Sequence, residues 1–92
     1  AVPSYSCSAV QKGSAEDIIC QSPSLSAMDL KLNEIFKQAL AKSKNDPMLK
    51  AEQRGWIKGR NECWKEKDDE PACIARSYSE RMTELHNKWG VK

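Results

Sequence analysis

Four cysteines are the residues whose spacing says most about chemistry in this chain. Twelve residues separate Cys7 from Cys20, and nine separate Cys63 from Cys73. Structural zinc sites usually take their ligands from cysteines with about two to four residues between them, and a redox motif needs Cys-x-x-Cys. Neither spacing is present in this sequence. The cysteines therefore predict disulfides and, with them, an oxidising compartment.

The titratable side chains show no pattern typical of catalysis. His86 is the only histidine, and the sequence around it has no nucleophile or metal-ligand motif, whereas a general base needs a positioned partner. We interpret His86 as a solvent-facing residue of a helix. Asp69 and Glu70 precede a predicted helix, where the helix dipole favours negative charge. The sequence thus predicts no catalytic residue, no metal ligand and no cofactor.

Three prolines mark the elements that must position these residues. Pro23, Pro47 and Pro71 follow one another at intervals of 24 residues, each behind a serine or acidic residue, a combination typical of the first turn of a helix. Apolar residues then recur at steps of three and four. The pattern predicts three long helices of about 20 residues, the second with an apolar stripe from Leu49 to Trp64.

A shorter helix is predicted before these three. Ser14 and Asp17 resemble a capping box at its start, and Gly90 is a typical stop for the last long helix. The connections between the long helices are short, so neighbours should run antiparallel. We predict an all-α fold in which a short N-terminal helix and three antiparallel long helices form a small bundle. One domain should span residues 1–92, with an ordered core over 7–89.

Two disulfides should staple this bundle. Four cysteines allow three pairings, and spacing alone does not select one. An antiparallel hairpin places Cys63, near the end of one helix, beside Cys73, near the start of the next. We therefore favour Cys7–Cys20 with Cys63–Cys73. Each small loop would stabilise the fold by about 3 kcal/mol in the chain-entropy model.

Charged residues fall on or near the apolar stripes of the predicted helices. Asp29 lies one helical turn from apolar positions on either side, and Arg60 lies one turn after Trp56. Buried charges must be paired and hydrogen-bonded, so we predict that Asp29 meets Arg60 or Arg81 across helices. The alternative is that Trp56, Arg60 and Tyr78 form an exposed binding anchor, because these residue types dominate interface hot spots.

Two glycines interrupt the second predicted helix. Gly55 and Gly59 each cost about 1 kcal/mol relative to alanine, and the neighbouring Arg54 and Lys58 exclude pairing within a membrane. We favour the close approach of a neighbouring backbone or aromatic ring as their cause, with a notch for a partner as the alternative. On that alternative the candidate partner surface comprises Gly55, Gly59, Trp64, Asp68 and Asp69.

The composition is that of a small globular domain. Charged residues make up 30% of the 92 residues, and the 15 basic and 13 acidic residues are mixed along the chain, for a net charge of +2. Nucleic-acid-binding domains usually show a clustered basic face, and no stretch approaches the roughly 20 apolar residues of a membrane helix. We expect neither nucleic-acid binding nor a membrane span. Paired cysteines and the non-methionine start at Ala1 predict a periplasmic or secreted mature form.

The order of these residues resembles a known family. The most specific segments are Gln53-x2-Trp56-x3-Arg60-x2-Cys63 and Cys73-x4-Tyr78-x2-Arg81. They resemble the N-terminal domain of the LprI-type lysozyme inhibitors, small secreted helical domains, and the resemblance extends from Cys7 to near Lys88. Phe36, Gly55 and Met82 stand where the family often has Tyr, Ala and Ile.

The resemblance implies an exported, disulfide-stabilised binding module whose protein partner is a lysozyme. A net charge of +2 gives no long-range attraction to a basic lysozyme, but a local acidic patch at Asp68 and Asp69 would suit a basic rim. The alternative is a structural or accessory cell-envelope domain, without lysozyme inhibition, that stabilises a partner or a dimer of itself. An enzyme or small-ligand carrier fits least, because a carrier needs a cavity that slim helices rarely enclose. We expect a monomer or a homodimer.

Overall fold

The fold was obtained as a computed structural model that describes residues 3–65 and 69–91. Within these residues it contains α1 (Ala15–Gln21), α2 (Pro23–Lys42), α3 (Pro47–Asn61) and α4 (Glu70–Trp89), with 3₁₀-helices at Cys7–Ala9 and Glu62–Lys65 and no strand. The predicted all-α fold is confirmed. None of the helices in this part of the chain combines the length and apolarity that crossing a bilayer requires.

The three long helices begin where the prolines and caps predict. The side chains of Ser22, Asp46 and Asp69 each accept a hydrogen bond from a backbone N–H in the first turn that follows. These bonds satisfy donors that the helix itself leaves unpaired. The last helix starts at Glu70, one residue before Pro71. Local cap chemistry therefore sets all three starts.

Ser14 caps the short first helix as predicted, but the reciprocal bond of a capping box goes to Gly13, one residue earlier than the pattern predicts. Ser14 Oγ accepts a hydrogen bond from the backbone N–H of Asp17. The Asp17 carboxylate in turn accepts from the backbone N–H of Gly13 at 2.9 Å and from Gln21 Nε2 at 3.0 Å. The hydrogen bond from Gly13, followed by that from Gln21, lowers the pKa of Asp17. This turn and α1 thereby form one local unit.

The helix α3 is shorter than the apolar stripe predicts. It ends at Asn61, and the chain tightens into the 3₁₀-helix Glu62–Lys65 instead of continuing to Trp64 as a regular helix. The tighter winding brings the Cα atom of Cys63 within 5.7 Å of the Cα atom of Cys73, a separation that a disulfide requires. By contrast, α4 ends at Gly90 as predicted, with a left-handed φ of 66°.

Both predicted disulfides are present. One joins Cys7 to Cys20 and the other joins Cys63 to Cys73, and no cysteine remains free. The first ties the segment before α1 to the end of that helix, and the second ties the end of the α3 segment to the start of α4. Each closes a short loop, so both restrict mainly the local freedom of the unfolded chain.

The core lies around α4, which packs against both α2 and α3. Ile74, Tyr78 and Leu85 of α4 are at most 1% exposed. Contacts of Trp56 with Ser77 and of Gln53 with Arg81 show that α3 and α4 run antiparallel. The main chain at the end of α4 meets the end of α2 through the Lys42 ammonium. The three long helices therefore alternate in direction along the chain, with α4 between the other two.

Candidate functional site

A buried polar network joins the three long helices at the centre of the molecule. The Tyr78 hydroxyl donates to Asp29 Oδ1 at 2.6 Å and accepts from Arg60 Nη1 at 3.1 Å. Arg60 Nη1 lies 3.9 Å from the same carboxylate oxygen. Asp29, Arg60 and Tyr78 are 6%, 5% and 0% exposed. The phenol thus bridges a buried carboxylate and a buried guanidinium.

The second oxygen of Asp29 is satisfied by the N-terminal strap, residues 3–6. The backbone N–H and the hydroxyl of Ser4 donate to Asp29 Oδ2 at 2.7 and 2.6 Å. The neighbouring Tyr5 hydroxyl donates to the backbone oxygen of Glu16 at 2.9 Å, and Pro3 is buried. The strap therefore covers one end of the network, and both oxygens of the buried carboxylate have donors, as burial demands.

The Arg60 guanidinium is enclosed by aromatic rings and an amide. Its Nε and Nη2 donate to Asn61 Oδ1 at 3.1 and 2.8 Å. Its carbon lies 5.6 Å from the ring centre of Trp56 and 5.9 Å from that of Tyr78. The two rings pack edge to face at 5.1 Å, and the Trp56 indole donates to the backbone oxygen of Ser77. Cation–π and hydrogen-bond contacts together fix this charge.

Both tyrosines of this region hold their protons strongly. Burial, followed by the hydrogen bond to Asp29, raises the pKa of Tyr78 far above its ordinary value. Burial raises the pKa of Tyr5 to about 12. At neutral pH both hydroxyls are therefore hydrogen-bond donors. The network holds the Asp29 carboxylate and the Arg60 guanidinium in fixed positions. Neither phenol is in the deprotonated form that a general base requires.

The structure places Arg60, and not Arg81, beside Asp29. Arg81 Nε donates to Gln53 Oε1 at 2.7 Å, and its Nη1 lies 3.4 Å from Glu84 Oε1. Its Nη2 is buried and lacks a hydrogen-bond partner among the described residues. Arg81 therefore links α4 to α3 separately from the Asp29 network.

The alternative of an exposed anchor made of Trp56, Arg60 and Tyr78 is wrong. Tyr78 has no exposed surface and Arg60 is 5% exposed, because α4 packs across this side of α3. Only Trp56 of the three is half-buried. Arg60 and Tyr78 belong to the interior, and only the Trp56 indole has surface that a partner could contact.

The expected close approach of a neighbour to Gly55 and Gly59 is also wrong. A Cβ atom built on either residue meets no atom within 4 Å, and both residues are exposed. The physical reason is the orientation of α3, which turns Leu49, Trp56 and Arg60 toward the other helices. The glycines fall on the remaining side of the helix, where the chain itself does not need a small residue.

Gly59 lines a depression between α3 and α4, which we call the Gly59 depression. Its volume is about 470 Å³, and it is lined by Trp56, Gly59, Arg60, Ser77, Glu80 and Glu84. Glu84 is paired with Arg81, whereas Glu80 is exposed and has no ion-pair partner in the part of the chain that the structure describes. The depression therefore carries carboxylates at its α4 edge.

The other predicted surface residues are described only in part. Asp69 is exposed, and its side chain caps α4 by accepting from the backbone N–H of Ala72. Asp68 and the side chain of Trp64 lie outside the described residues. His86 is exposed on α4, with Nδ1 2.8 Å from the backbone oxygen of Val91. Over residues 3–65 and 69–91, no three His, Cys, Asp or Glu side chains converge to hold a metal ion.

A second open site, the α2/α3 groove, lies on the other side of α3. Its volume is about 340 Å³, and its lining comprises Ser4, Tyr5, Glu16, Asp29, Leu32, Asn33, Phe36, Gln53, Trp56, Ile57 and Arg60. Sequence reasoning missed this groove. Asn33 and Phe36 follow Asp29 at helical spacing, so the face of α2 was recognisable. The strap residues carry no periodic signal that would have placed them there.

Comparison with known proteins identifies the family. A family model described as lysozyme inhibitor LprI matches residues 7–85, which is most of the 92-residue chain. The chain therefore belongs to the LprI family. The matched range includes all four cysteines and the Asp29–Tyr78–Arg60 network, and Ser4 of the strap lies before it. Searches of curated proteins and of solved structures give no match.

Proposed function

We propose that this LprI-family chain is an exported, disulfide-stabilised protein-binding domain whose partner is a lysozyme, which it inhibits. The observation that carries the proposal is the match over residues 7–85 to a family described as lysozyme inhibitor. Pairing of all four cysteines fits a periplasmic or secreted location, because disulfides persist in oxidising compartments.

The buried polar residues that the fold brings together are used by the fold itself. Hydrogen bonds within the chain engage the side chains of Asp29, Arg60 and Tyr78. Each of these residues is at most 6% exposed. A general base must come within hydrogen-bond reach of a substrate. We therefore assign these residues to the support of the fold.

The glycine face, made of Gly55, Gly59 and the Gly59 depression, is the surface we propose for the partner. Exposed glycines inside a helix lower its stability by about 1 kcal/mol each, and the open space around them lets a partner approach the helix backbone. Glu80 and Glu84 at the edge of the depression would attract a basic lysozyme, since complementary charge favours association.

The remaining residues of the sequence-predicted surface would extend the glycine face. Trp64, Asp68 and Asp69 follow α3 and precede α4 along the chain, and we include them in the proposed surface on the basis of the sequence. Aromatic residues supply much of the binding energy at protein interfaces, and the two carboxylates would add to the negative charge that a basic lysozyme favours.

The test is a cell-wall lysis assay in which the oxidised protein is titrated into several structural types of lysozyme. We expect stoichiometric inhibition of at least one type. A matched control is the same protein reduced, alkylated and freed of reductant, because lysozymes themselves contain disulfides; this control should not inhibit. Flat curves for every type, with circular dichroism showing a folded protein, would contradict the lysozyme proposal and favour an accessory cell-envelope role.

A further inference from the structure

Part of the lining of the α2/α3 groove takes no part in the buried network of Asp29, Arg60 and Tyr78. On α3 it is bounded by Gln53 and Ile57, and on α2 by Asn33 and Phe36. Gly59 belongs instead to the depression on the α4 side. The two open sites share Trp56 and Arg60 in their linings, but the groove extends from these residues toward α2 and the Gly59 depression extends toward α4.

Two side-chain amides in the groove have unused hydrogen-bonding groups. Within the described residues, the Asn33 side chain makes no hydrogen bond, and Gln53 uses only its Oε1, which accepts from Arg81 Nε. Both residues are half-buried, so water or a ligand can reach them. A primary amide carries two N–H donors and an acceptor oxygen, and the Nε2 group of Gln53 and the whole amide of Asn33 are available.

The groove also presents apolar surface beside these amides. Phe36 and Trp56 are half-buried, and Ile57 is one of the large hydrophobic residues left at the surface, with 37% exposure. An apolar side chain placed against these three would be removed from water, which is favourable in proportion to the area covered. The site therefore offers apolar contact and two side-chain amides within about 340 Å³.

The chain's own strap shows how a peptide fits one end of this groove. Ser4 and Tyr5 lie in its lining and belong to a segment that forms no helix. The backbone N–H of Ser4 donates to the Asp29 carboxylate, and the Tyr5 side chain spans to Glu16. A backbone amide paired with an α2 side chain, next to an aromatic side chain, thus already occupies the end of the groove.

We propose that the rest of the α2/α3 groove binds an extended peptide segment of a second protein. One apolar side chain of that segment packs against Phe36, Trp56 and Ile57, and its backbone N–H and C=O groups pair with Asn33 and Gln53. Side-chain amides match both groups of a peptide bond, and grooves that recognise extended peptides combine such main-chain pairing with pockets for side chains. Its contacts Asn33, Phe36 and Ile57 lie outside the Gly59 depression, and the proposed binding goes beyond lysozyme inhibition.

The probe for this site is N-acetyl-leucine N-methylamide, which carries two peptide groups and one apolar side chain. Titrated at millimolar concentration into the ¹⁵N-labelled oxidised protein, it should shift the side-chain amide resonances of Asn33 and Gln53 and the indole resonance of Trp56 in a saturable way. The glycine analogue of the probe lacks the apolar side chain, and it should bind more weakly.

A matched pair of variants fixes the location. Ile57→Glu should weaken probe binding about tenfold, the size expected when a central packed contact is lost. Leu30→Glu is the control, because Leu30 has nearly the same exposure, 39% against 37%, and lies on α2 outside the groove lining. Both positions are at the surface, so thermal melts should show both variants folded.

Three outcomes would overturn the proposal. The first is the absence of saturable shifts of the Asn33 and Gln53 resonances. The second is equal affinity of Ile57→Glu and the unaltered protein for the probe. The third is a set of shifts confined to the groove between α2 and α4 that contains Ile35 and Met82. None of these readouts involves a lysozyme. Failure of the lysis assay and failure of the peptide site are therefore distinguishable.

Discussion

The two sides of α3 differ in how completely the fold explains their residues. On the inner side, Trp56 and Arg60 contact Tyr78, Ser77 and Asn61 through hydrogen bonds and ring contacts. On the outer side, Gly55 and Gly59 have no atom within 4 Å of where a side chain would begin. The same 15-residue helix therefore carries one side whose residues contact the rest of the chain and one side that the chain leaves empty.

The difference separates stability from binding. The residues on the inner side supply the hydrogen bonds that the buried Arg60 needs, since every buried donor and acceptor must have a partner. The glycines on the outer side lower the stability of the helix, because alanine at an open position would stabilise it more. A feature that costs stability and serves no internal contact points to a partner outside the chain. Variants on the two sides should therefore behave in opposite ways.

The largest effect is expected from Arg60→Ala on the inner side. Loss of the guanidinium leaves Asp29 buried without its positive partner, which costs about 3–5 kcal/mol of unfolding free energy. Urea unfolding measures this change. The matched control is Arg54→Ala, an exposed position of the same helix, which should change stability by less than about 0.5 kcal/mol. An unaltered melting temperature in Arg60→Ala would show that the network contributes nothing to stability.

A smaller effect of opposite sign is expected on the outer side. Gly55→Ala and Gly59→Ala should each raise the unfolding free energy by about 0.5–1 kcal/mol, because the new methyl group meets open space and reduces the freedom of the unfolded chain. Ala51→Gly, at another exposed position of α3, should lower it by a similar amount. Destabilisation by either alanine would reveal an internal contact and remove the contrast between the two sides.

The helix starts and the disulfides were predictable because they depend on local chemistry. Ser22 and Asp46 precede prolines and cap the helices that follow, and both partners of each cap lie within one turn. The pairing of Cys63 with Cys73 follows from a hairpin with a short connection. Such features need only the nearest residues, and these are visible in a single sequence.

The bridge by Tyr78 and the cover by Ser4 were not predictable from the sequence. Tyr78 is 49 residues from Asp29 along the chain, and Ser4 is 25 residues from it. Apolar periodicity shows which face of a helix is buried but not which side chain reaches across. The open surroundings of Gly55 were missed for the same reason, because helix rotation is set by packing against α4.

The smallest expected effect on stability comes from ionisation of Tyr5, the tyrosine of the strap, and it occurs only at alkaline pH. The pKa of Tyr5 rises from 10.0 to about 12 on folding, so the folded state holds the proton more tightly. Its contribution to stability is complete below pH 10 and declines as the pH rises from 10.0 toward about 12. Burial raises the pKa of Tyr78 as well, which steepens the same loss.

Unfolding free energy measured against pH in the alkaline range checks this prediction. Tyr5→Phe removes one ionisable group, so its stability should fall less steeply than that of the unaltered protein above pH 10. The slopes are compared rather than the absolute values, because the variant also loses the hydrogen bond to Glu16, which is worth about 1 kcal/mol. Identical slopes would show that Tyr5 ionises as freely in the folded state as in the unfolded chain.

Gly59→Arg tests the separation of stability from binding most directly when lysozyme inhibition and melting temperature are measured on the same sample. Because the position is open, we predict a melting temperature that is unchanged or slightly raised, as for Gly59→Ala, and a loss of inhibition, since a large cation would fill the Gly59 depression. Gln38→Arg, exposed on α2, should retain both properties. Full inhibition by Gly59→Arg, or a substantial fall in its melting temperature, would contradict the assignment of this face to partner binding.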